Sequence, residues 1–454
     1  MKLFGTDGVR GIVGENLSAE MALRLGQITT RHIKCEGPPS ILIGRDTRVS
    51  GQMLEAALGA GFMSMGTDVH LLGVAPTPAV AYLVKENGFP LGAVISASHN
   101  PIEDNGIKFF GPDGFKLPDH IEDDISRRYF SGEHQAPSTG VYVGHLVNAA
   151  GLIQTYVQHL IEAAGGDLDG LKIVIDCGHG AASHIGPMVL ASLGAEIFSL
   201  NADGIGERIN VNCGSTAPEK MAEAVVQEGA DLGIAFDGDA DRAIFADETG
   251  NIVDGDAVLA AWGEYLYEND KLHGDAIVGT VLSNQGLEKY LQTKGISLIR
   301  ADVGDKYVLR EMVAGGYVLG GEQSGHIIFM EHNTTGDGIL TALLMARLMR
   351  IRNFPLSTFA KVYNRFPQVQ LNLGCRDKYG WQSDLGVRKS LRELEEKLKA
   401  EDQGRILIRP SGTEPKVRVM VESMTLDIAQ GYAQMAIEVL REFISNQETG
   451  GGGE

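Results

Sequence analysis

The residues best suited to chemistry are three aspartates near the middle of the chain. Asp237, Asp239 and Asp241 stand at alternate positions where the apolar strand of the stretch Asp231–Phe245 ends. An extended backbone would put alternate side chains on one side, so the three carboxylates would converge on one hard cation. Oxygen-only ligation favours Mg²⁺ or Mn²⁺ over zinc. The alternative is a solvated acidic turn, but unpaired carboxylates this close repel each other, which favours a metal site.

A second group of reactive side chains follows the apolar segment Leu91–Ile95, which has the length and composition of a buried strand. The chain then turns polar ahead of a proline, through Ser96, Ser98, His99 and Asn100. A rigid strand that ends in hydroxyls and an imidazole can hold a nucleophile at a sheet edge. The pattern leaves Ser96 and Ser98 both open as that nucleophile. It also leaves open a polar turn whose side chains bond their own backbone.

The stretch Arg409–Val419 has the composition of an anion cradle between two strands. Phosphate needs several donors and a close backbone approach, which glycine permits. The alternative is a glycine turn in a hairpin with incidental arginines. The candidate phosphate ligands are Arg409, Ser411, Gly412, Thr413 and Arg418.

Three further motifs are weaker when each is taken alone. Glu322, Ser324 and His326 share one short loop, where a carboxylate and a hydroxyl could grip sugar hydroxyls and an imidazole could move a proton. An ordinary turn is the alternative. Arg10 and Lys108 lie in polar, glycine-rich surroundings, and surface ion pairs are the alternative for them.

A repeated strand–helix–strand pattern supplies the elements that must position these side chains. It occurs in Pro39–Gly73, Leu171–Leu200 and Asp275–Ala301, each copy with a glycine near the end of its helix. Each copy predicts a βαβ unit, so we expect three α/β domains with mixed, mostly parallel sheets. After residue 364 the pattern changes to strands, a charged helix Ser390–Ala400 and an amphipathic helix Ile428–Ile444, which predicts a smaller α+β domain.

The predicted domains carry one chemical motif each. Residues 1–147 hold the serine segment, 148–248 the aspartates, 249–364 the Glu322 loop and 365–446 the arginine cradle. Residues 447–454 end in glycines, and we expect them to form a disordered tail.

Composition excludes several classes of protein. A chain of 454 residues with 43% hydrophobic and 22% charged residues is typical of a globular protein of several domains. The formal charge of −20 argues against binding nucleic acid or an anionic membrane through bulk charge. The four cysteines are widely separated, and no run reaches the ~18 apolar residues that span a bilayer. The start of the chain lacks a signal peptide, so we expect a cytoplasmic protein.

Taken together, the motifs resemble those of the α-D-phosphohexomutase superfamily. The matching stretches are FGTDGVRG, GRDTRVSG, VISASHNP, NGIKFF, AFDGDADR, GEQSGH, TTGDGI and RPSGTEP, and they occur in the family's order from residue 4 to residue 415. GEQSGH and TTGDGI are similar to the aminosugar branch rather than to the glucose or mannose branches. The resemblance implies four domains around a central cleft, the first three of them similar.

The resemblance also implies roles for the candidate residues. Ser98 would be the phosphorylated nucleophile, and its phosphate would complete a site for one Mg²⁺ per chain with the three aspartates. Glu322 and Ser324 would contact sugar hydroxyls, and Arg242 would bind substrate. The loop Arg409–Thr413, with Arg418, would hold the distal phosphate. The positions near the transferred proton or phosphate are Arg10, His99, Lys108 and His326.

The activity that the resemblance implies is interconversion of glucosamine 6-phosphate and glucosamine 1-phosphate. The reaction would pass through a phosphoserine and glucosamine 1,6-bisphosphate and would feed synthesis of UDP-N-acetylglucosamine and cell-wall precursors. Alternatives are a mutase for glucose or mannose phosphates, a metal-dependent sugar phosphatase and a silent sugar-phosphate sensor. The expected partner is a small phosphosugar, with neither nucleic acid nor membrane, and a homodimer is the candidate assembly.

Overall fold

The chain divides into two compact units. A computed structural model describes residues 3–5, 7–133, 137–402, 404–411 and 415–450, with the side chains of 402 and 446–450 left out. The first unit comprises Met1–Leu282 and Lys294–Val362, and the second comprises Ser283–Thr293 and Tyr363–Glu454. Among the described residues, every helix is too short or too polar to span a membrane.

The first sheet of unit 1 has six strands in the order β1-β5-β4-β2-β3-β6. Strands β4, β2, β3 and β6 run parallel, whereas β1 and β5 join antiparallel at one edge. The strands are β1 (Val9–Ile12), β2 (Ser40–Arg45), β3 (Asp68–Val74), β4 (Gly92–Ile95), β5 (Asp104–Phe110) and β6 (Leu146–Asn148), and the helices are α1 (Ala19–Thr29), α2 (Gly51–Ser64), α3 (Thr77–Glu86) and α4 (Asp119–Ser131).

The second sheet has five strands in the order β11-β10-β9-β7-β8. Its central strands are buried on both faces, as their unbroken apolar sequence dictates. The strands are β7 (Lys172–Asp176), β8 (Glu196–Leu200), β9 (Leu232–Phe236), β10 (Ala243–Asp247) and β11 (Ile252–Val253), and the helices are α5 (Ile153–Ala164), α6 (Ala182–Ser192) and α7 (Glu219–Glu228).

The third sheet has four strands in the order β13-β12-β14-β15. The helix between its first two strands, α9, lies in the Ser283–Thr293 segment of unit 2. The strands are β12 (Ala276–Thr280), β13 (Ser297–Ala301), β14 (Leu319–Gly321) and β15 (Ile327–Phe329), and the helices are α8 (Gly255–Glu268), α9 (Gln285–Thr293), α10 (Asp305–Gly315), α11 (Gly338–Arg352) and α12 (Leu356–Ala360).

The fourth sheet belongs to unit 2 and is antiparallel, in the order β16-β18-β17. Its inner face packs against two helices around a core that includes Val419, Val421 and Leu440. The strands are β16 (Gln368–Gly374), β17 (Arg405–Pro410) and β18 (Lys416–Glu422), and the helices are α13 (Leu385–Asp402) and α14 (Leu426–Gly450).

The predicted fold class is confirmed: three mixed α/β sheets precede a smaller antiparallel domain. The final helix differs from its prediction, because it runs to Gly450 and so includes part of the expected tail. Residues 451–454 lie outside the described residues. The domain boundaries and the central cleft stay predictions.

The three sheets of unit 1 share a topology that goes beyond the predicted βαβ units. Each contains four strands in one spatial order: β5-β4-β2-β3, β10-β9-β7-β8 and β15-β14-β12-β13. In each series the second strand (β4, β9 or β14) leads through a loop into the first (β5, β10 or β15), with which it pairs antiparallel. These equivalent loops contain Ser98, the aspartates and Glu322, so one feature of the repeat positions all three motifs.

Candidate active site

The serine loop (Ser96–Pro101) leaves the end of the fully buried strand β4. Ser98 has a φ of +52°, which residues with side chains rarely adopt. Arg48 stabilises this turn: its guanidinium donates to the carbonyl oxygens of Ser98 at 2.9 Å and Asn100 at 2.8 Å. The side chain of Asn210, in the segment between β8 and α7, also donates to the Ser98 carbonyl oxygen, at 2.8 Å.

The two candidate serines have different surroundings. The Ser96 hydroxyl donates to Asp46 Oδ2 at 2.6 Å and accepts from the backbone N–H of Ser98 at 2.9 Å, so it is engaged in holding the loop. The Ser98 hydroxyl donates to Asp237 Oδ2 at 2.6 Å, and Nδ1 of His99 lies 3.2 Å from the same oxygen. This geometry favours Ser98 as the nucleophile and gives Ser96 a structural role.

The acidic loop (Asp237–Arg242) brings its three carboxylates together, but not on an extended backbone. Strand β9 ends at Phe236, and the loop is a tight turn in which Ala240 has a φ of +56°. One oxygen from each of Asp237, Asp239 and Asp241 lies within 4.8 Å of the others, and all three residues are buried. The convergence predicted from the sequence is therefore present, but a turn produces it and strand periodicity does not.

The donor set of the acidic loop fits a divalent cation. Among the described residues, Oδ1 of Asp239 is buried and has no hydrogen-bond partner, and Oδ1 of Asp241 lies 3.6 Å from Nδ1 of His326, at the edge of hydrogen-bond range. Buried carboxylate oxygens without donors are costly unless a cation occupies the space between them. Oxygen-only ligands suit Mg²⁺.

Lys108 is the buried cation that faces the acidic loop. Its ammonium donates to Asp239 Oδ2 at 2.9 Å and lies 3.7 Å from Asp241 Oδ2. Burial alone would lower the pKa of Lys108, but the charges of Asp239 and Asp7 outweigh burial and raise it. Lys108 therefore keeps its charge beside the loop.

The carboxyl groups of the loop differ in their electrostatics. Burial, followed by the charges of Asp241 and Asp239, raises the pKa of Asp237 well above its usual range. Burial acts the same way on Asp241, but the charges of His326 and Lys108 outweigh it and hold the pKa of Asp241 well below its usual range. The carboxylates of the loop therefore repel one another, and a metal ion bound among them, in addition to Lys108, would reduce that repulsion.

Arg10, His99 and Arg242 surround the same region. Arg10 is held by Asp7, to which its guanidinium donates, and lies 3.4 Å from Asn100 Oδ1. The backbone N–H of Arg242 donates to Asp237 Oδ1 at 3.1 Å. Burial, with the charges of Arg242 and Arg10, lowers the pKa of His99 to about 4, so its imidazole is neutral at neutral pH.

The Glu322 loop (Glu322–His326) packs against the end of the acidic loop. The backbone N–H of Ala243 donates to the carbonyl oxygen of Gly325 at 3.1 Å. Gly325 has a φ of +91°, and a Cβ there would lie 2.3 Å from the Ala243 carbonyl oxygen, so only glycine fits. Glu322 accepts a hydrogen bond at Oε1 from the backbone N–H of Gly304 at 3.0 Å. Ser324 is half-buried on the same loop.

His326 joins the Glu322 loop to the acidic loop. The backbone N–H of Gly336 donates to its Nε2 at 3.0 Å, which leaves Nδ1 to carry the proton on the side of Asp241. Burial would lower the pKa of His326, but the charge of Asp241 outweighs it and raises the pKa. The hydrogen bond from Gly336 holds His326 in one orientation beside the carboxylates of the acidic loop.

The arginine cradle is described within unit 2 alone. Arg409 and Arg418 are direct cross-strand partners of β17 and β18, and the carbonyl oxygen of Ser411 accepts a hydrogen bond from Lys378. Burial and the charge of Arg418 lower the pKa of Arg409. Like charges directly opposite each other destabilise a sheet, so this pair favours a bound anion. Gly412 and Thr413 lie outside the described residues.

Sequence reasoning missed several buried and half-buried residues that build the site. Asp7 and Asp46 lie inside quoted motifs and could have been found from their neighbours, since Asp7 stands three residues before Arg10 and Asp46 stands between Arg45 and Arg48. Thr77, whose hydroxyl donates to Asp239 Oδ2 at 2.6 Å, carries no motif signal. Lys116 and Asp305, which also carry none, form a half-buried ion pair that contacts Asp7.

Family models match almost the whole chain. Those of the phosphoglucomutase/phosphomannomutase α/β/α domains I, II and III match residues 1–136, 154–250 and 254–366, and that of the C-terminal domain matches residues 371–439. The first three matches correspond to the three sheets of unit 1, and the fourth corresponds to the antiparallel sheet of unit 2.

Curated relatives indicate a narrower group within the same family. The chain is 46% identical to phosphoglucosamine mutase of Desulforamulus reducens, over 98% of this chain and 99% of the relative. It is 47% identical to phosphoglucosamine mutase of Shouchella clausii, over 97% and 99%.

Solved structures share the fold at low sequence identity. A phosphoglucomutase/phosphomannomutase family protein from Burkholderia thailandensis has a TM-score of 0.79 at 22% identity, over 100% of this chain and 98% of that one. N-acetylphosphoglucosamine mutase of Aspergillus fumigatus, in complex with GlcNAc-6P and magnesium, has a TM-score of 0.67 at 18% identity, over 97% and 96%. With the buried serine–aspartate contact and the three equivalent loops, these matches mean that the chain belongs to the phosphoglucomutase/phosphomannomutase family, in its phosphoglucosamine mutase branch.

Proposed function

We propose that this protein interconverts glucosamine 6-phosphate and glucosamine 1-phosphate, with Ser98 as the phosphorylated nucleophile. The observation that carries the proposal is the 2.6 Å hydrogen bond between the Ser98 hydroxyl and Asp237 in the buried acidic loop. A hydroxyl that touches a cluster of metal-ligating carboxylates is positioned for phosphoryl transfer, in which charge neutralisation and alignment supply most of the catalysis.

The choice of an aminosugar phosphate rests on the relatives. Those at 46–47% identity are named phosphoglucosamine mutase, and the Aspergillus fumigatus neighbour binds GlcNAc-6P with magnesium. The GEQSGH and TTGDGI motifs agree with the aminosugar branch. A mutase acting on glucose or mannose phosphates is the first alternative.

Mg²⁺ is the cofactor of this proposal, one ion per chain. Asp237, Asp239 and Asp241 would hold it together with an oxygen of the phosphate on Ser98. Bound there, the ion would withdraw charge from the phosphoryl group and make it a better electrophile. Lys108, 2.9 Å from Asp239 Oδ2, and the guanidinium of Arg242, 3.7 Å from Asp241 Oδ1, would offset the remaining negative charge of the loop.

The reaction consists of two phosphoryl transfers that leave the enzyme phosphorylated. In the first, the bond between phosphorus and Ser98 Oγ breaks while one forms to O1 of glucosamine 6-phosphate, and the proton of that hydroxyl leaves to a base of the site. The products are glucosamine 1,6-bisphosphate and Ser98 with its hydroxyl protonated. In the second, the bond between phosphorus and O6 of the reoriented intermediate breaks while one forms to Ser98 Oγ. The proton of the Ser98 hydroxyl leaves to a base of the site, O6 takes up a proton, and the product is glucosamine 1-phosphate.

Three groups of side chains act on the sugar in this proposal. Glu322 and Ser324 bind sugar hydroxyls of the intermediate in each of its two orientations. Arg409, Ser411 and Arg418 hold whichever phosphate is not reacting, and the roles of Gly412 and Thr413 rest on the family resemblance. Arg10 and His326 lie near the transferred group, where they share charge or move a proton. The homodimer and the cytoplasmic location stay predictions.

The test is a steady-state assay by ³¹P NMR with glucosamine 6-phosphate, Mg²⁺ and a trace of glucosamine 1,6-bisphosphate. We expect the resonance of glucosamine 1-phosphate to grow to equilibrium. Parallel runs with glucose 6-phosphate and mannose 6-phosphate measure the preference for the aminosugar, and intact mass of the purified protein reports phosphate on Ser98.

Each alternative has its own outcome. Inorganic phosphate without any 1-phosphate would indicate a phosphatase, and faster turnover of glucose or mannose phosphate would indicate another branch of the family. Absence of turnover, with no phosphate on the protein after exposure to the bisphosphate, would indicate a silent sensor.

A further inference from the structure

A chain of alternating charges leads from Lys108 to the third sheet. The ammonium of Lys108 lies 3.0 Å from Asp7 Oδ2. Lys116 donates to Asp7 Oδ1 and also to Oδ2 of Asp305, the first residue of α10. Two residues of the first sheet region are thus tied to a helix that packs on the third.

Two further contacts bring this chain of charges beside the acidic loop. Lys108 lies 3.7 Å from Asp241 Oδ2. Asp305 Oδ2 lies 3.9 Å from Nε2 of His326, whose Nδ1 lies 3.6 Å from Asp241 Oδ1. The chain of charges therefore places residues of the first and third sheet regions beside one residue of the acidic loop.

The start of α10 also orients the Glu322 loop. The backbone N–H of Gly304, which precedes the helix, donates to Glu322 Oε1 at 3.0 Å. A shift of this helix end would move the Asp305 carboxylate and the Glu322 carboxylate together. The ion pair between Lys116 and Asp305 therefore acts on the sugar contacts as well as on Lys108.

Packing alone does not set the spacing of these elements. A cavity of about 570 Å³ separates the segment Phe115–Glu122 from α10, and its lining includes the apolar side chains of Leu117, Leu309 and Val313. Two ion pairs cross it: the pair between Lys116 and Asp305, and a second between Lys306 and Asp119. Protein interiors normally lack voids of this size, so the two ion pairs help to determine the separation of the elements on either side of the cavity.

The first pair is sheltered and the second is at the surface. The side chains of Lys116 and Asp305 are 16% and 17% exposed, whereas those of Lys306 and Asp119 are 23% and 68% exposed, so the second pair is open to solvent on the side of Asp119. Burial would lower the pKa of Lys116, but the charges of Asp305 and Asp7 outweigh it and raise the pKa, so the pair stays charged. Loss of one partner of a sheltered pair leaves an uncompensated charge, whereas loss of an exposed pair changes little.

We propose that Lys116 and Asp305 are positioning residues for phosphoryl transfer, which hold Lys108 and the Glu322 loop at one fixed separation. The proposal rests on the proposed function, because it concerns the bisphosphate intermediate of that reaction. The intermediate must meet Ser98 at one phosphate while Glu322 and Ser324 hold its hydroxyls, in each of two orientations. If the separation between Lys108 and the Glu322 loop varied, the second phosphoryl group would be misaligned with Ser98 and the intermediate would dissociate more often.

The test compares Lys116→Met with Lys306→Met, which removes the exposed pair between the same two elements. Each protein is phosphorylated, mixed with less than one equivalent of glucosamine 6-phosphate, and quenched for ³¹P NMR. We expect Lys116→Met to raise the fraction of sugar released as bisphosphate several-fold and to lower kcat/KM by roughly tenfold or more, since small misplacements have such effects. Lys306→Met should stay within about twofold of wild type in both measurements.

A double-mutant cycle identifies the contact responsible. Asp305→Asn should reproduce the raised release of bisphosphate, and the double variant should be no worse than the more impaired single variant, because both changes break one contact. Asp305→Glu, which keeps the charge, should bring the fraction of sugar released as bisphosphate part of the way back to the wild-type value. Asp305→Asn also serves as the test if Lys116→Met fails to fold, as judged by circular dichroism.

The outcomes separate this inference from the proposed function. If wild type forms glucosamine 1-phosphate while Lys116→Met and Asp305→Asn release no more bisphosphate than wild type, the positioning role is wrong and the mutase function stands. Equal losses in Lys306→Met and Lys116→Met would also overturn it. A wild-type protein that forms no 1-phosphate would instead refute the function on which the inference depends.

Discussion

Ser98 shows how backbone conformation and side-chain contacts combine to prepare one hydroxyl. Its positive φ costs on the order of 1–3 kcal/mol for a residue with a side chain. The hydrogen bonds from Arg48 and Asn210 to its carbonyl oxygen hold this conformation. Arg48 is only 1% exposed, and its guanidinium is paired with Asp46 Oδ2 at 3.0 Å, so its role in the loop is structural.

The two serines should respond differently to loss of their hydroxyls. We expect Ser98→Ala to lower mutase turnover at least ~10³-fold, because it removes the nucleophile, and to abolish the mass increment of the phosphate. The thermal midpoint should change little, since the backbone contacts of the loop remain. Steady-state ³¹P NMR and intact mass measure these effects.

Ser96→Ala is the matched control. Its loss leaves Asp46 Oδ2 with one partner fewer, which should cost about 1–3 kcal/mol of stability while most of the turnover is retained. If Ser96→Ala abolishes phosphorylation and Ser98→Ala does not, the assignment of the nucleophile is reversed.

Residue types and spacing identified the aspartates and narrowed the nucleophile to two serines. They could not distinguish Ser96 from Ser98, since only the fold shows which hydroxyl faces Asp237. Lys116 and Asp305 were beyond prediction from the sequence, because two charged residues 189 positions apart give no local signal that they will pair.

At the scale of the element, the first turn of α11 carries a titratable N-cap. Asp337 accepts a hydrogen bond from the backbone N–H of Leu340 at 3.0 Å, as an N-cap carboxylate should. It also accepts from the hydroxyl of Tyr156, on α5, at 2.9 Å. Burial raises the pKa of Asp337 from 3.8 to about 6 despite these bonds. The helix start is therefore less stable when this carboxyl is ionised.

This pKa predicts a pH dependence of stability. Between about pH 4 and pH 6 the folded state keeps a proton on Asp337 that the unfolded state has lost, so stability falls as pH rises, by up to about 3 kcal/mol. Asp337→Asn removes this dependence and keeps a capping oxygen. The thermal midpoint of Asp337→Asn relative to wild type should therefore rise from pH 4 to pH 7.

The slope with pH is the informative quantity, because the substitution also disturbs the bond from Asn333 by an amount that does not depend on pH. A constant difference between Asp337→Asn and wild type over this range would contradict the raised pKa.

The hairpin of β17 and β18 should respond to anions. Occupation of the space between Arg409 and Arg418 relieves their repulsion, so inorganic phosphate should raise the thermal midpoint of the full chain. A ligand at a hundred times its dissociation constant contributes about 2.7 kcal/mol. Arg418→Met should lose most of this stabilisation.

Arg392→Met, on the exposed surface of α13 in the same unit, is the control and should keep the full effect of phosphate. Equal stabilisation of wild type and Arg418→Met would mean that phosphate binds elsewhere.

Element patterns were predicted well where periodicity was strong and less well where a turn decides the geometry. Strands Arg405–Pro410 and Lys416–Glu422 match the two strands predicted on either side of the anion cradle. The acidic loop was expected to be extended, but Gly238 and Ala240 fold it into a turn that no hydrophobic pattern reveals.

At the scale of the whole molecule, the acidic loop is where the three sheets of unit 1 meet. Its backbone accepts hydrogen bonds from the N–H groups of Thr77, Ala181 and Gly338, which come from the first, second and third sheet regions, at 2.8–2.9 Å. A cation bound in this loop therefore stabilises the junction of the three sheets.

Mg²⁺ should consequently stabilise the folded protein as well as catalyse. We expect the thermal midpoint of unphosphorylated wild type to rise by a few degrees in millimolar Mg²⁺, at constant ionic strength, because the ion relieves repulsion in the loop. Asp241→Asn should abolish this increase. Glu223→Gln, on an exposed position of α7, should retain it. An equal increase in Asp241→Asn would show that Mg²⁺ acts at another site.

The repeated topology of the three sheets explains why the candidate site residues occur in three separate parts of the chain. The sequence indicated three βαβ units, but it did not reveal that Ser98, Asp237 and Glu322 follow equivalent strands of them. That equivalence depends on the order of the strands in each sheet, which is determined by pairing between strands that lie far apart in the sequence.

The most direct measurement of the central claim is a single turnover with protein carrying ³²P on Ser98. Mixed with unlabelled glucosamine 6-phosphate and Mg²⁺ and quenched at short times, the label should leave the protein and appear first in glucosamine 1,6-bisphosphate, as the 1-phosphoryl group. It should later appear in released glucosamine 1-phosphate, as the enzyme is rephosphorylated with the unlabelled 6-phosphoryl group. Label that appears only as inorganic phosphate, or that stays on the protein while glucosamine 1-phosphate forms, would contradict transfer through Ser98.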